Sequence, residues 1–254
     1  MSVSEDFKET GHDEKCKSND NFYSHGANYW SVVPATIDGM LGGFGFVSQT
    51  DIKGSKLLLK QIFNSKNPPG RQNALDCGAG IGRITKFLLT DMFDKVDMVE
   101  QNPVFLEQAK HYLGPKRSKV DSFYSTGLQD FQPASGKYDV IWIQWVLGHL
   151  TDEDLIQFLK SCQNGLKQNG VIVVKENITS SDECEMDSQD YSVTRPMHLF
   201  QEIFDKAGLD CYRKSKQLHF PRGLYSVYMF ALRPKDKINC FTISEDTSKS
   251  DSLQ

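Results

Sequence analysis

From residue 73 onward the chain alternates short apolar runs with stretches in which apolar residues recur every three or four positions. The runs are "NALDC", "VDMVE", "DSFYSTG", "YDVIWIQWV", "VIVVKEN", "CYRKSKQLHF" and "YSVYMFALR". Helical spacing begins near residue 82, at Pro103, after Thr151 and near 195–207. Such alternation predicts an α/β domain built on parallel strands with crossover helices. The last two runs follow one another with no helix between them and predict an antiparallel hairpin. The helix after Thr151 is the best marked. Thr151 is a natural cap, Asp152, Glu153 and Asp154 suit the positive end of the dipole, and Leu155, Leu159, Cys162 and Leu166 share a face with Gly170 beyond. No internal repeat is visible.

Composition narrows this picture. A chain of 254 residues, 39% hydrophobic and 24% charged, is long enough for one substantial core. Residues 1–20 and 235–254 are polar and apolar-poor, so two flexible tails are expected around a domain at 21–234. A formal charge of -4 provides no basic surplus for a phosphate backbone, so direct nucleic-acid binding is not expected. No apolar run approaches the roughly 18 residues of a membrane span, and the first 20 residues lack the apolar centre of a secretory signal. Six cysteines without a C-x-x-C pair or neighbouring histidines speak against a metal site and for reduced thiols. A soluble intracellular protein is expected.

The chemistry starts at "ALDCGAGIGRIT", positions 74–85, where Gly78, Gly80 and Gly82 follow a strand and open a helix. A Gly-rich turn there brings bare backbone and helix-end N–H groups against a ligand. The spacing is one residue shorter than the dinucleotide G-x-G-x-x-G and fits S-adenosylmethionine better than NAD. Glu100 closes the second strand, 22 residues beyond Gly78, placed to accept hydrogen bonds from both ribose hydroxyls. Residues Gln144 to His149 in "WIQWVLGHL" fall at the carboxyl end of the fourth strand, where open parallel sheets bind ligands. Trp142 on the strand is expected in the core, and Trp145 offers an aromatic wall. Past the fifth strand, Asp182, Glu183, Glu185, Asp187 and Asp190 follow one another with no intervening Lys or Arg. Such a run serves either as a solvated loop or as an acidic contact for a cation.

The strings "YWSVVPATIDGMLGGFG", "ALDCGAGIGRITK", "VDMVE", "GLQDF", "YDVIWIQWVLGHLTD", "GVIVVKEN" and "YSVYMFALR" resemble the protein α-N-terminal methyltransferases, from about Tyr29 to Arg233. Members of that family methylate the free terminal amine of proteins beginning X-Pro-Lys after initiator methionine removal. The resemblance implies a Rossmann-like class I methyltransferase fold, a seven-stranded, mostly parallel sheet with a final antiparallel strand. It implies S-adenosylmethionine held by Gly78, Arg83, Glu100, Leu128, Gln129 and Gln144, with Glu100 standing where the family has Asp. It places a base at His149, an amine site at Asn177, Asp190 and Ser192, and the substrate's lysine on Asp187 and Asp190. One extra residue separates Asn177 from the "YSVTR" segment here. Trp145 would pack the substrate's proline, while Trp30, Leu41 and Tyr225 would close over it together with "GMLGGFG", which could equally be a plain loop. Gly223 beside Arg222 stands where the family carries Glu near the substrate exit. The expected partners are the N-terminal tails of X-Pro-Lys proteins, in nucleus and cytoplasm.

An α-amine suits this chemistry, because its reference pKa of roughly 7.7 to 8.0 leaves it appreciably neutral near pH 7, unlike lysine at roughly 10.4. Two other readings stay open on the sequence: a small-molecule N-methyltransferase, and an inactive binding module of the same shape.

Overall fold

The structure is a computed structural model and describes residues 22–235. The tails expected at 1–20 and 235–254 lie outside the described residues, apart from Lys235, which pairs with Asp205 at 3.0 Å. Cys16 and Cys240 lie outside them too.

Nine strands are described: β1 Asn73–Cys77, β2 Lys95–Glu100, β3 Val120–Ser125, β4 Tyr138–Gln144, β5 Leu166–Ile178, β6 Glu185–Met186, β7 Val193–Thr194, β8 Leu209–Lys216 and β9 Ser226–Pro234. Seven of them form one sheet in the order β3-β2-β1-β4-β5-β9-β8, and β6 pairs with β7 separately. Strands β1 to β5 are parallel to one another. β9 runs antiparallel to both β5 and β8. This is the expected sheet, with the closing runs paired as the expected hairpin.

The helices are α1 Phe22–Val32, α2 Ile37–Met40, α3 Ser48–Phe63, a π-helical turn Thr85–Leu89 leading into α4 Thr90–Met92, α5 Pro103–Tyr112, α6 Asp152–Gly165 and α7 Met197–Lys206. All seven residues of β4 are buried, as a central parallel strand covered on both faces requires. Its side chains divide with a period of two. Ile141 and Ile143 join Leu155, Phe158, Leu159, Phe200 and Phe204 from α6 and α7. Val140 and Trp142 join Leu58, Leu59, Ile62, Leu88 and Leu89 on the opposite face.

Thr151 caps α6, its hydroxyl accepting from the Asp154 N–H at 3.2 Å, a contact worth about 1 kcal/mol. The helix stops earlier than its apolar spacing suggests. It ends at Gly165, where a Cβ would stand 2.6 Å from Pro133, because Leu166 is already extended and, with Gly170, belongs to β5. Helix α3 escaped the sequence pattern because Asp51 and Ser55 occupy buried positions on its inner face. Among the described residues no helix is long and apolar enough to cross a membrane.

Candidate active site

The carboxyl ends of β1, β2, β4 and β5 open onto two adjoining cavities. The first is floored by the loop after β1. Gly78, Gly80 and Gly82 have φ of 67°, 53° and 83°, left-handed values that glycine adopts without strain. A second cause acts at Gly78, whose Cβ would lie 2.6 Å from Val146, and at Gly80, whose Cβ would lie 2.6 Å from Met40 Sδ. Both glycines therefore also make room for neighbouring side chains of the protein itself. Below the loop, the Thr85 N–H and hydroxyl donate to Asp76 Oδ2 at 3.0 and 2.6 Å. Burial lifts the Asp76 carboxyl to about 7, with the Thr85 bonds opposing.

All six residues expected to hold the cofactor line this first cavity. Glu100 accepts from the Gly80 N–H at 3.0 Å through Oε2 and from the Asn102 N–H at 2.9 Å through Oε1. A carboxylate has about four acceptor sites, so each oxygen keeps one for a hydroxyl donor. Burial raises the Glu100 pKa, and these backbone donors hold it down. Arg83 donates from Nη1 to Asp51 at 2.7 Å and to Ser48 at 3.4 Å. Gln144 donates to Asp51 at 2.8 Å and accepts from Trp142 Nε1 at 3.0 Å. Buried Leu128 and neighbouring Gln129 come from the loop after β3.

Trp30, Leu41, Trp145 and His149 border both cavities and mark where they meet. Trp145 has a left-handed φ of 51°, and its indole Nε1 is buried without a partner. Its ring lies tilted over Phe220, centroids 6.4 Å apart, and the Arg83 guanidinium stands 5.6 Å from it. Trp30 Nε1 donates to His149 Nε2 at 3.0 Å. Since that nitrogen accepts, neutral His149 carries its proton on Nδ1. Burial pushes the His149 pKa down, while Asp190 pulls it up. Asp190 Oδ2 lies 4.0 Å from His149 Nε2, and its Oδ1 accepts from the Ser192 N–H at 2.9 Å.

The second cavity is a groove bounded by Asn177, Asp190, Ser192 and Tyr225. The Tyr225 hydroxyl donates to Glu185 at 2.5 Å, joining the β6–β7 hairpin to the segment before β9. Asp187 does not line the groove. It is exposed, its Oδ1 accepting from the Gln189 N–H at 2.7 Å and its own N–H donating to the Ser192 carbonyl at 2.9 Å. The aromatic and glycine-rich stretch "GMLGGFG" combines the end of α2, a turn and a short 3₁₀ helix, and Met40 and Leu41 face both cavities.

Residues the sequence did not single out hold this site together. Glu176 accepts from the Val146 and Leu147 N–H groups at 2.8 and 2.9 Å, and burial lifts its pKa to about 7. Arg195, fully buried, donates to Asp152 at 2.7 Å and to the Leu147 and Leu150 carbonyls at 2.8 and 2.6 Å. Asp51 and Lys175 lie under the cofactor end. A lysine within the apolar run "VIVVKEN" was the one available signal; nothing local marked the others. Among the described residues no three His, Cys, Asp or Glu side chains are grouped to hold a metal ion.

The family model described as AdoMet dependent proline di-methyltransferase matches residues 18–233. A Xenopus tropicalis protein named N-terminal Xaa-Pro-Lys N-methyltransferase 1 is 49% identical over 214 residues, covering 84% of this chain and 95% of the relative. A Drosophila melanogaster protein named Alpha N-terminal protein methyltransferase 1 is 46% identical over 219 residues, covering 85% and 78%. The solved structure of a Leishmania major SAM-dependent methyltransferase superposes with a TM-score of 0.79 at 37% identity, covering 84% of this chain and 83% of that one.

Proposed function

The chain belongs to the AdoMet dependent proline di-methyltransferase family, and from that premise we propose that it methylates the free α-amine of proteins whose N-terminus reads X-Pro-Lys. One observation carries this reading beyond the family: the cofactor cavity opens at Trp145 and His149 into a second groove that is edged by Asn177 and Asp190 and reaches the surface at Tyr225. A chain end fits such a groove, with its amine at the junction and the following residues leading outward.

The residues of the first cavity suit the parts of S-adenosylmethionine. The cationic Arg83 answers a carboxylate, the open acceptor sites of Glu100 answer ribose hydroxyls, and the Leu128 loop offers an apolar wall to a base. When bound, that cofactor supplies a methyl carbon activated by a sulfonium. The chain's own task is to align a neutral nitrogen with it. Asn177 orients the amine, Trp145 packs the proline ring, and Asp190 meets the third-position lysine, with Asp187 further out at the rim. Asp190 Oδ2 also takes the amine's proton. His149 is held neutral beside it, because the Trp30 indole occupies its Nε2.

Mass spectrometry of a Ser-Pro-Lys peptide with cofactor tests this reading. Methylation at the N-terminus is expected, and acetylating the terminus should abolish it although the lysine side chain remains. Methylation of the acetylated peptide, or preference for a free small amine, would overturn the α-amine assignment. Cofactor binding with no methylation of any amine would point to an inactive module.

A further inference from the structure

Beneath the cofactor cleft two cations converge on one carboxylate that solvent does not reach. Asp51 of α3 and Lys175 of β5 are both 0% exposed. Asp51 Oδ1 pairs with Lys175 Nζ at 2.5 Å, and Oδ2 pairs with Arg83 Nη1 at 2.7 Å. The Lys175 ammonium also donates to the Asp51 carbonyl at 3.1 Å, Ser55 Oγ at 3.0 Å and Gln217 Oε1 at 2.8 Å. Those last three acceptors are uncharged. Gln144 adds no charge either, since its amide is committed to Asp51 and Trp142. Two positive groups thus share a single negative one, and among the described residues no other ion pair reaches them. An unbalanced buried charge is costly, so the cluster is poised for an anion that completes it. Arg83 is the only one of the three that lines the cleft.

We propose that Lys175 is a cofactor-specificity residue: by sharing Asp51 it keeps that carboxylate from neutralising Arg83 alone, and the charge left on Arg83, which faces Asp76 and Glu100 in the same cleft, selects adenosyl ligands ending in a carboxylate. Lys175 touches no ligand and acts through Asp51 and Arg83. Burial lowers the lysine's pKa and the Arg83 charge adds to that, while the Asp51 charge and hydrogen bond counter them. Without Lys175, Asp51 would neutralise Arg83 alone, and the attraction for an incoming carboxylate would fall. The proposal rests on the cofactor reading above.

Calorimetry on the full chain and on Lys175→Met and Lys175→Gln separates the possibilities, using S-adenosylhomocysteine and its decarboxylated analogue, which keeps the adenosine, thioether and amine. S-adenosylhomocysteine should bind roughly tenfold more weakly to both variants, the order expected for losing a unit charge roughly 10 Å from the ligand at an effective dielectric of about 20. The decarboxylated analogue should bind unchanged or more tightly, because its ammonium is relieved of repulsion. Equal weakening of both ligands, no weakening of either, or variants that bind neither would mark Lys175 as a structural residue and overturn the proposal. A wild-type protein that binds neither ligand would overturn the cofactor reading itself.

Discussion

Trp30 and His149 are 119 residues apart and joined by one hydrogen bond, in which the imidazole Nε2 accepts. The indole N–H favours neutral imidazole, so Trp30→Phe should raise the His149 pKa and shift the acid limb of the kcat/KM profile to higher pH. An NMR titration of His149 that matches the wild type would contradict this. Gly78 gives a second prediction at the same scale. Its φ of 67° and the Val146 contact make even Gly78→Ala costly, by about 1–3 kcal/mol from backbone strain with a clash added. Urea unfolding should show the loss without any ligand present, whereas a variant as stable as wild type would mean that the glycine serves the ligand alone.

Segments rather than single side chains hold the reacting groups in place. The turn from Trp145 to Leu150 is gripped by Glu176 from β5 and by Arg195, two residues before α7. Arg195→Met would leave the Leu150 carbonyl without its donor, the Leu147 carbonyl with only the Leu150 N–H at 3.3 Å, and should cost about 1–3 kcal/mol, read as a drop in unfolding midpoint with lower kcat. Retained stability would show that the turn is held by packing instead. The segment before β9 carries a different constraint. At Gly223 a Cβ would meet nothing within 4 Å, yet φ is 89°, so the Glu of the family pattern does not fit this turn without strain. With no acid there, X-Pro-Lys-Arg and X-Pro-Lys-Gln peptides should differ little in kcat/KM, since an exposed charge contact is worth only about 0.2–1 kcal/mol. A strong preference for Arg would locate another acidic contact.

Across the whole molecule, two buried carboxyls tie stability to pH. Asp76 and Glu176 both titrate at about 7 when folded, against ordinary values of 3.8 and 4.5. Between those values and 7 the folded state holds more protons than the unfolded one, so stability falls as pH rises through this window and flattens above it. His149, with its lowered pKa, acts oppositely, favouring the unfolded state as pH drops below 6.5. Thermal unfolding across pH 5 to 8 should therefore show a shallower slope in Glu176→Gln, and an unchanged slope would remove Glu176 from this account. The sequence by itself determined the seven strands of the main sheet, the capped start of helix α6 and the glycine turn, because each depends on neighbours within a few residues: alternation, helical spacing, a cap, a positive φ. Strand ends in a parallel sheet converge on one edge, which pointed to the glycine turn, Glu100 and Gln144 to His149, and the family resemblance supplied the remaining groups of both cavities. Only the tertiary structure decided that Trp30 bonds to His149, that Asp51 joins Arg83 to Lys175, that Val146 packs against Gly78, and that Asp187 stands outside the groove. Those outcomes depend on contacts between elements far apart in sequence, where burial turns an ordinary Asp, Lys or Glu into a paired charge, and no local pattern records which distant group will be its partner.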